Sequence, residues 1–370
     1  MILIYFSKVK AVGDRRASPL ISADARKRQL SLRPAVQRGT LRPDFIKGGI
    51  PVKRLLIVLS AVALCLAVAS AGAFAADKKL KIAIVPVALN NPIFLDAIEA
   101  SQKAGKALGA EVIVAASTNP DATEQVKVVE GLIEQKVNGI MIFPTDPVAL
   151  RGVVEKAVAK GIVVAFLNGS IENTVCAFQA GTDNYALGKT CGQKIVKLMG
   201  GKGKLVLQTG TIGMSALDDR VRGFRDALKG SSIQEVAFQA NEDNMEKSVE
   251  MVNTYLSAHP EVDGYFIDGG WPFFSPPDAL PELVKFRDRG GIFGIVDTFY
   301  PMLKYMDRPK PLADFMIGQN YTAMGDYGTR TMYSLLTGGK VKDKIFYTNV
   351  EEVTKDNVKQ VMASKNPWGN

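Results

Sequence analysis

The side chains that most often perform covalent chemistry are scarce in this 370-residue chain. Its single histidine, His259, lies in Ser257-Ala258-His259-Pro260, where an imidazole ends a helix and meets the helix dipole. Of the three cysteines, Cys65 falls in an apolar run near the start, which leaves Cys176 and Cys191. That inventory is too small for a zinc site or a Ser-His-Asp arrangement, and no metal or cofactor is expected. Gly200-Gly201-Lys202-Gly203-Lys204 and Gly210-Thr211-Ile212-Gly213 look like phosphate loops. Neither has the G-x-x-x-x-G-K-[ST] spacing, nor G-x-G-x-x-G after a strand. Carboxylates are plentiful, so a glycosidase-like acid/base pair is the enzymatic reading that their numbers leave open.

The elements that must position any site alternate regularly. Apolar runs at 80–87, 111–114, 139–143 and 161–167 read as buried strands. Helices are expected from Asn91-Pro92 to about Leu108, from Ala122 to Lys136 behind Asn119-Pro120-Asp121, and from Pro147 to Lys160. A short strand, Val175 to Ala180, ends in Gly181-Thr182-Asp183-Asn184, and the rhythm restarts. Helices at 185–199, 218–229, 245–258 and 279–289 alternate with strands at 204–209, 233–238, 263–268 and 291–296. A Pro-rich insertion, Trp271 to Pro281, interrupts the second series. Such spacing means parallel sheets covered on both faces, in two successive α/β modules. Sites in these folds lie beyond the carboxyl ends of the strands. Asn90-Asn91-Pro92, Pro144-Thr145-Asp146, Asn168-Gly169, Thr211, Gly269-Gly270-Trp271 and Asp297 fall there, a set rich in amides, hydroxyls and carboxylates.

Composition excludes other classes. With 47% hydrophobic and 22% charged residues, the chain is not disordered, collagen-like or disulfide-dense, and its length suits about two domains. The net charge of +9 sits at one end: residues 1–75 hold 13 of the 46 Lys+Arg and 3 of the 37 Asp+Glu, leaving 33 and 34. The body is nearly neutral, so the basic balance is no argument for nucleic acid. Lys53-Arg54 precede the uncharged stretch Leu55 to Ala75, which ends in Ala73-Phe74-Ala75, a signal-peptidase pattern. We read 52–75 as a signal peptide cut after Ala75, against the competing reading of a membrane anchor. Residues 1–51, Arg-rich and patternless, read as a non-native upstream extension before a start at Val52.

The mature chain resembles the periplasmic sugar-binding proteins of bacterial ABC importers, of the ribose-binding kind, along 78–355. The matching stretches are Leu89-Asn90-Asn91-Pro92-Ile93-Phe94, Pro144-Thr145-Asp146, Gly181-Thr182-Asp183-Asn184, Arg220-Val221-Arg222-Gly223-Phe224, Ala258-His259-Pro260, Ile295-Val296-Asp297 and Ile317-Gly318-Gln319. The resemblance implies a type I periplasmic binding protein fold: α/β, two Rossmann-like lobes with parallel sheets joined by three crossing hinge segments. The N-terminal lobe would comprise 76–182 plus 320–348 and the C-terminal lobe 183–319 plus 349–370. It further implies a solute-binding component that captures a neutral monosaccharide or polyol without chemistry, delivered to the importer's membrane permease. A chemoreceptor or sensor kinase is the alternative partner, and a nucleoside or furanosyl signal the alternative ligand. The protein would act as a monomer in the periplasm.

Residue by residue, the resemblance implies that Asn91 bonds a sugar hydroxyl and Phe94 stacks on the sugar face. Arg220 would donate to hydroxyls, Asp297 accept from them, and Gln319 supply an amide at the second crossing. Paired hydroxyls suit such groups, which engage them two at a time. The chain departs from the pattern in three places. Asn168-Gly169 stands where the family has Asp-Arg, Asp243 where an aromatic is usual, and Gly269 where an amide is expected. Asn168 and Trp271 are therefore added as candidate contacts, Trp271 as a replacement aromatic face. Arg220 and Asp297 balance in charge, which is why a neutral ligand is expected. By the same resemblance Cys176 and Cys191 lie on different lobes, and two free thiols are expected.

Overall fold

The computed structural model describes residues 79–365. The expected signal peptide, the extension before it and Cys65 lie outside them. Strands β1 (Lys81–Val85), β2 (Glu111–Val114), β3 (Gly139–Ile142), β4 (Val163–Leu167), β5 (Gln179–Gly181) and β11 (Ile345–Tyr347) form one sheet in the order β11-β5-β4-β3-β1-β2. Strands β6 (Lys202–Thr209), β7 (Ser232–Ala240), β8 (Gly264–Ile267), β9 (Ile292–Val296), β10 (Phe315–Gln319) and β12 (Val350–Val353) form another, ordered β12-β10-β9-β8-β6-β7. Neighbours are parallel throughout except β10 with β12. The fold is the α/β architecture of two parallel-dominated sheets with interleaved helices.

Helices α1 (Leu95–Leu108), α2 (Ala122–Glu134), α3 (Pro147–Ala159) and α8 (Tyr321–Leu336) cover the first sheet. Helices α4 (Asn184–Leu198), α5 (Ser215–Leu228), α6 (Met245–Ala258) and α7 (Pro281–Asp288) cover the second, and α9 (Val358–Lys365) closes the described chain. Side-chain oxygens of Asp121, Asp146, Asp183, Asn244 and Asn320 accept from the first-turn amides of α2, α3, α4, α6 and α8, which fixes where those helices start. Val129, Leu132, Leu150 and Val154 pack one face of the first sheet. Leu187, Cys191, Ile195 and Phe224 pack one face of the second.

Local departures from the expected elements have local causes. The helix expected at 218 begins at Ser215; Met214 supplies no side-chain cap there, and the Gly213 amide donates to Asp218 Oδ1 at 3.2 Å. The helix at 91 opens as a 3-10 turn over Pro92–Phe94. The strand expected over 175–180 shrinks to Gln179–Gly181. The Pro-rich insertion folds into two 3-10 turns, Trp271–Phe274 and Pro277–Ala279. Cys191 is buried, Cys176 is half-buried, and neither is bonded. Among the described residues no helix is long and apolar enough to cross a membrane.

The chain passes between the two sheets three times: from Gly181 to Asn184, from Gln319 to Tyr321, and from Tyr347 to Val350. The Thr348 amide donates to Gly181 O at 2.7 Å, tying the first passage to the third. Beside the first passage α4 and α5 touch backbone to backbone, since a Cβ on Gly188 would lie 2.0 Å from Arg220 O. Gly188→Ala is therefore expected to force the helices apart at a cost of about 1–3 kcal/mol, read as a lower urea midpoint with unchanged slope. An unchanged midpoint would refute that close approach.

Candidate functional site

A cleft opens beyond the carboxyl ends of the strands, between the two sheets. Its walls include Asn91, Phe94, Phe143, Asn168 and Tyr321 on one side and Arg220, Asp243, Trp271, Phe274 and Asp297 on the other. The space left for the centres of water-sized molecules is ≈ 50 Å³, several times the ~10–15 Å³ that holds one water. Phe94, Phe143 and Tyr321 meet at ring separations of 5.0, 5.8 and 6.1 Å and make one apolar wall. Trp271 faces the cleft from the other lobe and is also packed in the core.

Polar groups behind these walls form one network. Arg220, only 3% exposed, donates from Nε to Asn184 Oδ1 (2.8 Å), from Nη1 to Asp268 O (2.7 Å) and from Nη2 to Gln319 Oε1 (2.9 Å). Gln319 Nε2 donates to Asp297 Oδ1 (2.9 Å) and to the Tyr321 hydroxyl (3.2 Å). Asn168 Nδ2 donates to Gln319 Oε1 (2.9 Å), and Asn168 Oδ1 accepts from the Thr182 amide (3.0 Å) and Asn184 Nδ2 (3.3 Å). The Gly270 amide donates to Asp297 Oδ2 at 3.1 Å. A bond from the Ser170 amide to Ser215 Oγ (3.0 Å) spans the cleft.

Six of the seven residues singled out from the sequence line the cleft. Gln319 stands behind its wall, with the amide taken up by Asn168, Arg220, Asp297 and Tyr321. Asn168 lines the cleft with its amide engaged at the crossings. Asn91 also caps the turn that follows, Oδ1 accepting from the Ile93 amide at 3.2 Å. Phe143, Tyr321, Asp243 and Asp268 were missed. Asp268 follows a buried strand, the same signal that singled out Asp297 and Gln319. Asp243 was read as a lost aromatic instead of a gained carboxylate.

The charge balance consequently differs from the sequence reading: three carboxylates, not one, surround Arg220. Burial pushes the Asp268 carboxyl up to about 7, against the pull of Arg220 and the Thr209 hydroxyl, with Asp243 and Asp297 adding repulsion. Burial raises Asp297 as well, opposed by Arg220, Gln319 and the Gly270 amide. Asp243 is raised by burial and held back by the Thr211 hydroxyl and amide, Trp271 and Arg220. Backbone strain concentrates here too. Asn168, Glu242, Asp243 and Asp297 all adopt left-handed φ values, of 49°, 57°, 55° and 80°. Among the described residues no group of His, Cys, Asp and Glu is arranged to hold a metal ion.

Two α/β lobes joined by three passages, with a largely apolar cavity that a few polar side chains enter, define a receptor that encloses a small molecule between its halves. The chain belongs to the periplasmic binding protein domain family, whose model matches residues 82–340. It is 32% identical over 215 residues to the ribose import binding protein RbsB of Escherichia coli (strain K12), covering 58% of this chain and 71% of that one. To RbsB of Haemophilus influenzae it is 30% identical over 295 residues, covering 80% and 97%. It also resembles an ABC transporter solute binding protein from Burkholderia graminis solved in complex with D-arabinose. That match has a TM-score of 0.71 and 25% identity, covering 76% of this chain and 96% of that one. These relatives are named as binding proteins, not enzymes.

Proposed function

We propose that this chain is the sugar- or polyol-receiving component of an ABC importer. It reaches the periplasm through the signal at 52–75, binds one monosaccharide-sized ligand per chain as a monomer, and hands it unchanged to the membrane permease. The observation that carries this reading is the cavity between the lobes. There Arg220 and Asp297 offer a guanidinium and a carboxylate to hydroxyl pairs, facing the apolar wall of Phe94, Phe143 and Tyr321. The residues singled out from the sequence serve in two roles in this reading. Asn91, Phe94, Arg220, Trp271 and Asp297 touch the ligand, while Asn168 and Gln319 hold the crossings together. The relatives named for ribose import and the neighbour bound to D-arabinose support the ligand class.

A thermal-shift and calorimetric screen of the mature chain with D-ribose, D-arabinose, D-allose and xylitol tests this. Ligand at 100 times its dissociation constant is expected to add about 2.7 kcal/mol of stability. A chain that binds none of these and no other uncharged sugar refutes the reading.

The lobes 76–182 plus 320–348 and 183–319 plus 349–370 are proposed to open about the three passages when unliganded. Small-angle scattering is expected to show a smaller radius of gyration with bound sugar, and identical curves with and without a sugar shown to bind would refute the opening. Closure brings groups from both lobes onto one ligand, which then contributes the bridging contacts that Ser170 and Ser215 supplement.

A further inference from the structure

We propose that Asp243 is a second carboxylate anchor for the ligand, paired with Asp297 at the Gly270-Trp271 turn, and that this pair selects hydroxyl-rich uncharged ligands and excludes anionic sugars. The inference rests on the receptor reading above and deepens it.

Asp243 sits in the turn between β7 and α6, which does not need a carboxylate for its own structure. The cap of α6 is supplied by Asn244, whose Oδ1 accepts from the Lys247 amide at 2.8 Å. Instead Glu242 and Asp243 both take left-handed backbone, at φ values of 57° and 55°, a conformation that two consecutive non-glycine residues rarely share. The turn brings the half-buried Asp243 to the wall of the cleft. There Asp243 Oδ2 accepts from the Thr211 amide (2.9 Å) and the Thr211 hydroxyl (2.7 Å), and the Trp271 ring lies alongside the carboxyl. The neighbouring residue, Gly270, holds Asp297 through its amide. The two carboxylates thus meet one turn, Asp297 through the Gly270 amide and Asp243 beside the Trp271 ring. Gly210 keeps this arrangement clear: a Cβ there would lie 2.7 Å from the Trp271 ring and 2.8 Å from Asp243 Oδ2.

An ionised carboxylate accepts about four hydrogen bonds, and Thr211 supplies Asp243 with two, both to Oδ2. Asp243 lines the cavity, so a donor from the ligand would fill the remaining capacity. Hydroxyl pairs meet that need. A phosphate or a sugar carboxylate would instead face two like charges with one arginine, three of whose donors already serve Asn184, Asp268 and Gln319.

Calorimetry on the mature chain tests the proposal with D-ribose, D-arabinose, D-allose and xylitol as uncharged probes and D-ribose 5-phosphate and D-glucuronate as anionic ones. Wild type is expected to bind at least one uncharged probe and neither anionic one. For that probe Asp243→Asn should weaken binding about 10–100-fold, the scale of a hydrogen bond to a charged group, while narrowing the gap to the anions. Thr211→Val, which leaves the carboxylate but removes the hydroxyl that orients it, should give a smaller loss. Ligand-free melting of each variant separates lost contact from lost folding: a variant that melts like wild type and still loses affinity supports the contact. Asp243→Asn with wild-type affinity, or anions bound as tightly as sugars, overturns the proposal. If wild type binds no uncharged sugar, the receptor reading itself falls and takes this inference with it.

Discussion

Arg220→Ala is expected to reduce sugar affinity beyond ordinary measurement and to destabilise the unliganded protein by about 3–5 kcal/mol, the scale for removing one partner of a buried charged network. The guanidinium is buried and bonds three acceptors, on α4, at the end of β8 and at the end of β10. Without it, Asn184 Oδ1, Asp268 O and Gln319 Oε1 each lose a donor. Asp243, Asp268 and Asp297 all lose the positive charge that holds their carboxyls down. Their repulsion grows as they ionise, so the deficit against wild type should be larger at pH 8 than at pH 5. Arg220→Lys keeps the charge but not the planar fork, so it should recover part of the stability and little of the affinity. Urea titrations at the two pH values and calorimetry with the sugar found in the screen provide the check. An alanine variant with wild-type affinity would remove Arg220 from the site.

Asp268→Asn is expected to stabilise the protein at pH 8 and to do so markedly less at pH 5. The Asp268 side chain is 0% exposed, and its Oδ1 has no hydrogen-bond partner. Its carboxyl is raised from 3.8 in the unfolded chain to about 7 in the fold. Between those values the folded state holds a proton that the unfolded state has released. Stability from this group is therefore greatest below the unfolded value and is lost as the pH rises to about 7. Each unit of that rise corresponds to ~1.4 kcal/mol, so the ionised residue costs the fold on the order of several kcal/mol above neutrality. An uncharged amide avoids that cost while still accepting from the Thr209 hydroxyl, which bonds Asp268 Oδ2 at 2.8 Å. A rise in melting temperature of about 4–8 °C at pH 8 is expected. An equal rise at both pH values would mean that the folded residue is already ionised at pH 5, and would refute the raised carboxyl.

The alternating architecture was legible because its signals are local. Apolar runs such as Ile140-Met141-Ile142 and Phe293 to Val296 cannot lie on a surface. Asp121 and Asp146 mark helix starts through their own side chains. Where the signal is tertiary, the reading slipped. Met214 carries no cap, so the first turn of α5 was invisible, and the strand before Gly181 is regular only over Gln179 to Gly181, although Ala177 and Phe178 still pair with Val164 and Phe166. In the site, residues following buried strands were legible, which is why Asp297 and Gln319 stood out and why Asp268 could have been added by the same rule. Asp243 could not be placed that way. Its position depends on two left-handed residues in a turn and on Thr211 from another strand end, neither of which sequence spacing encodes. The amides of Asn168 and Gln319, expected at the ligand, also bond their neighbours at the crossings, which sequence spacing does not encode.

The contacts at the crossings are all buried: amide to amide between Asn168 and Gln319, backbone to amide from Thr182 to Asn168, backbone to backbone from Thr348 to Gly181, and Gln319 to the buried charges of Arg220 and Asp297. Exposed ion pairs weaken as dissolved electrolyte shortens the reach of charge to about 8–10 Å, whereas buried amide contacts are screened far less. A joint built this way keeps its stiffness in brackish and dilute surroundings alike. The contacts at the crossings are thereby insulated from changes in salinity, even though the outer helices, with pairs such as Lys127–Glu124 and Arg330–Asp326, are not.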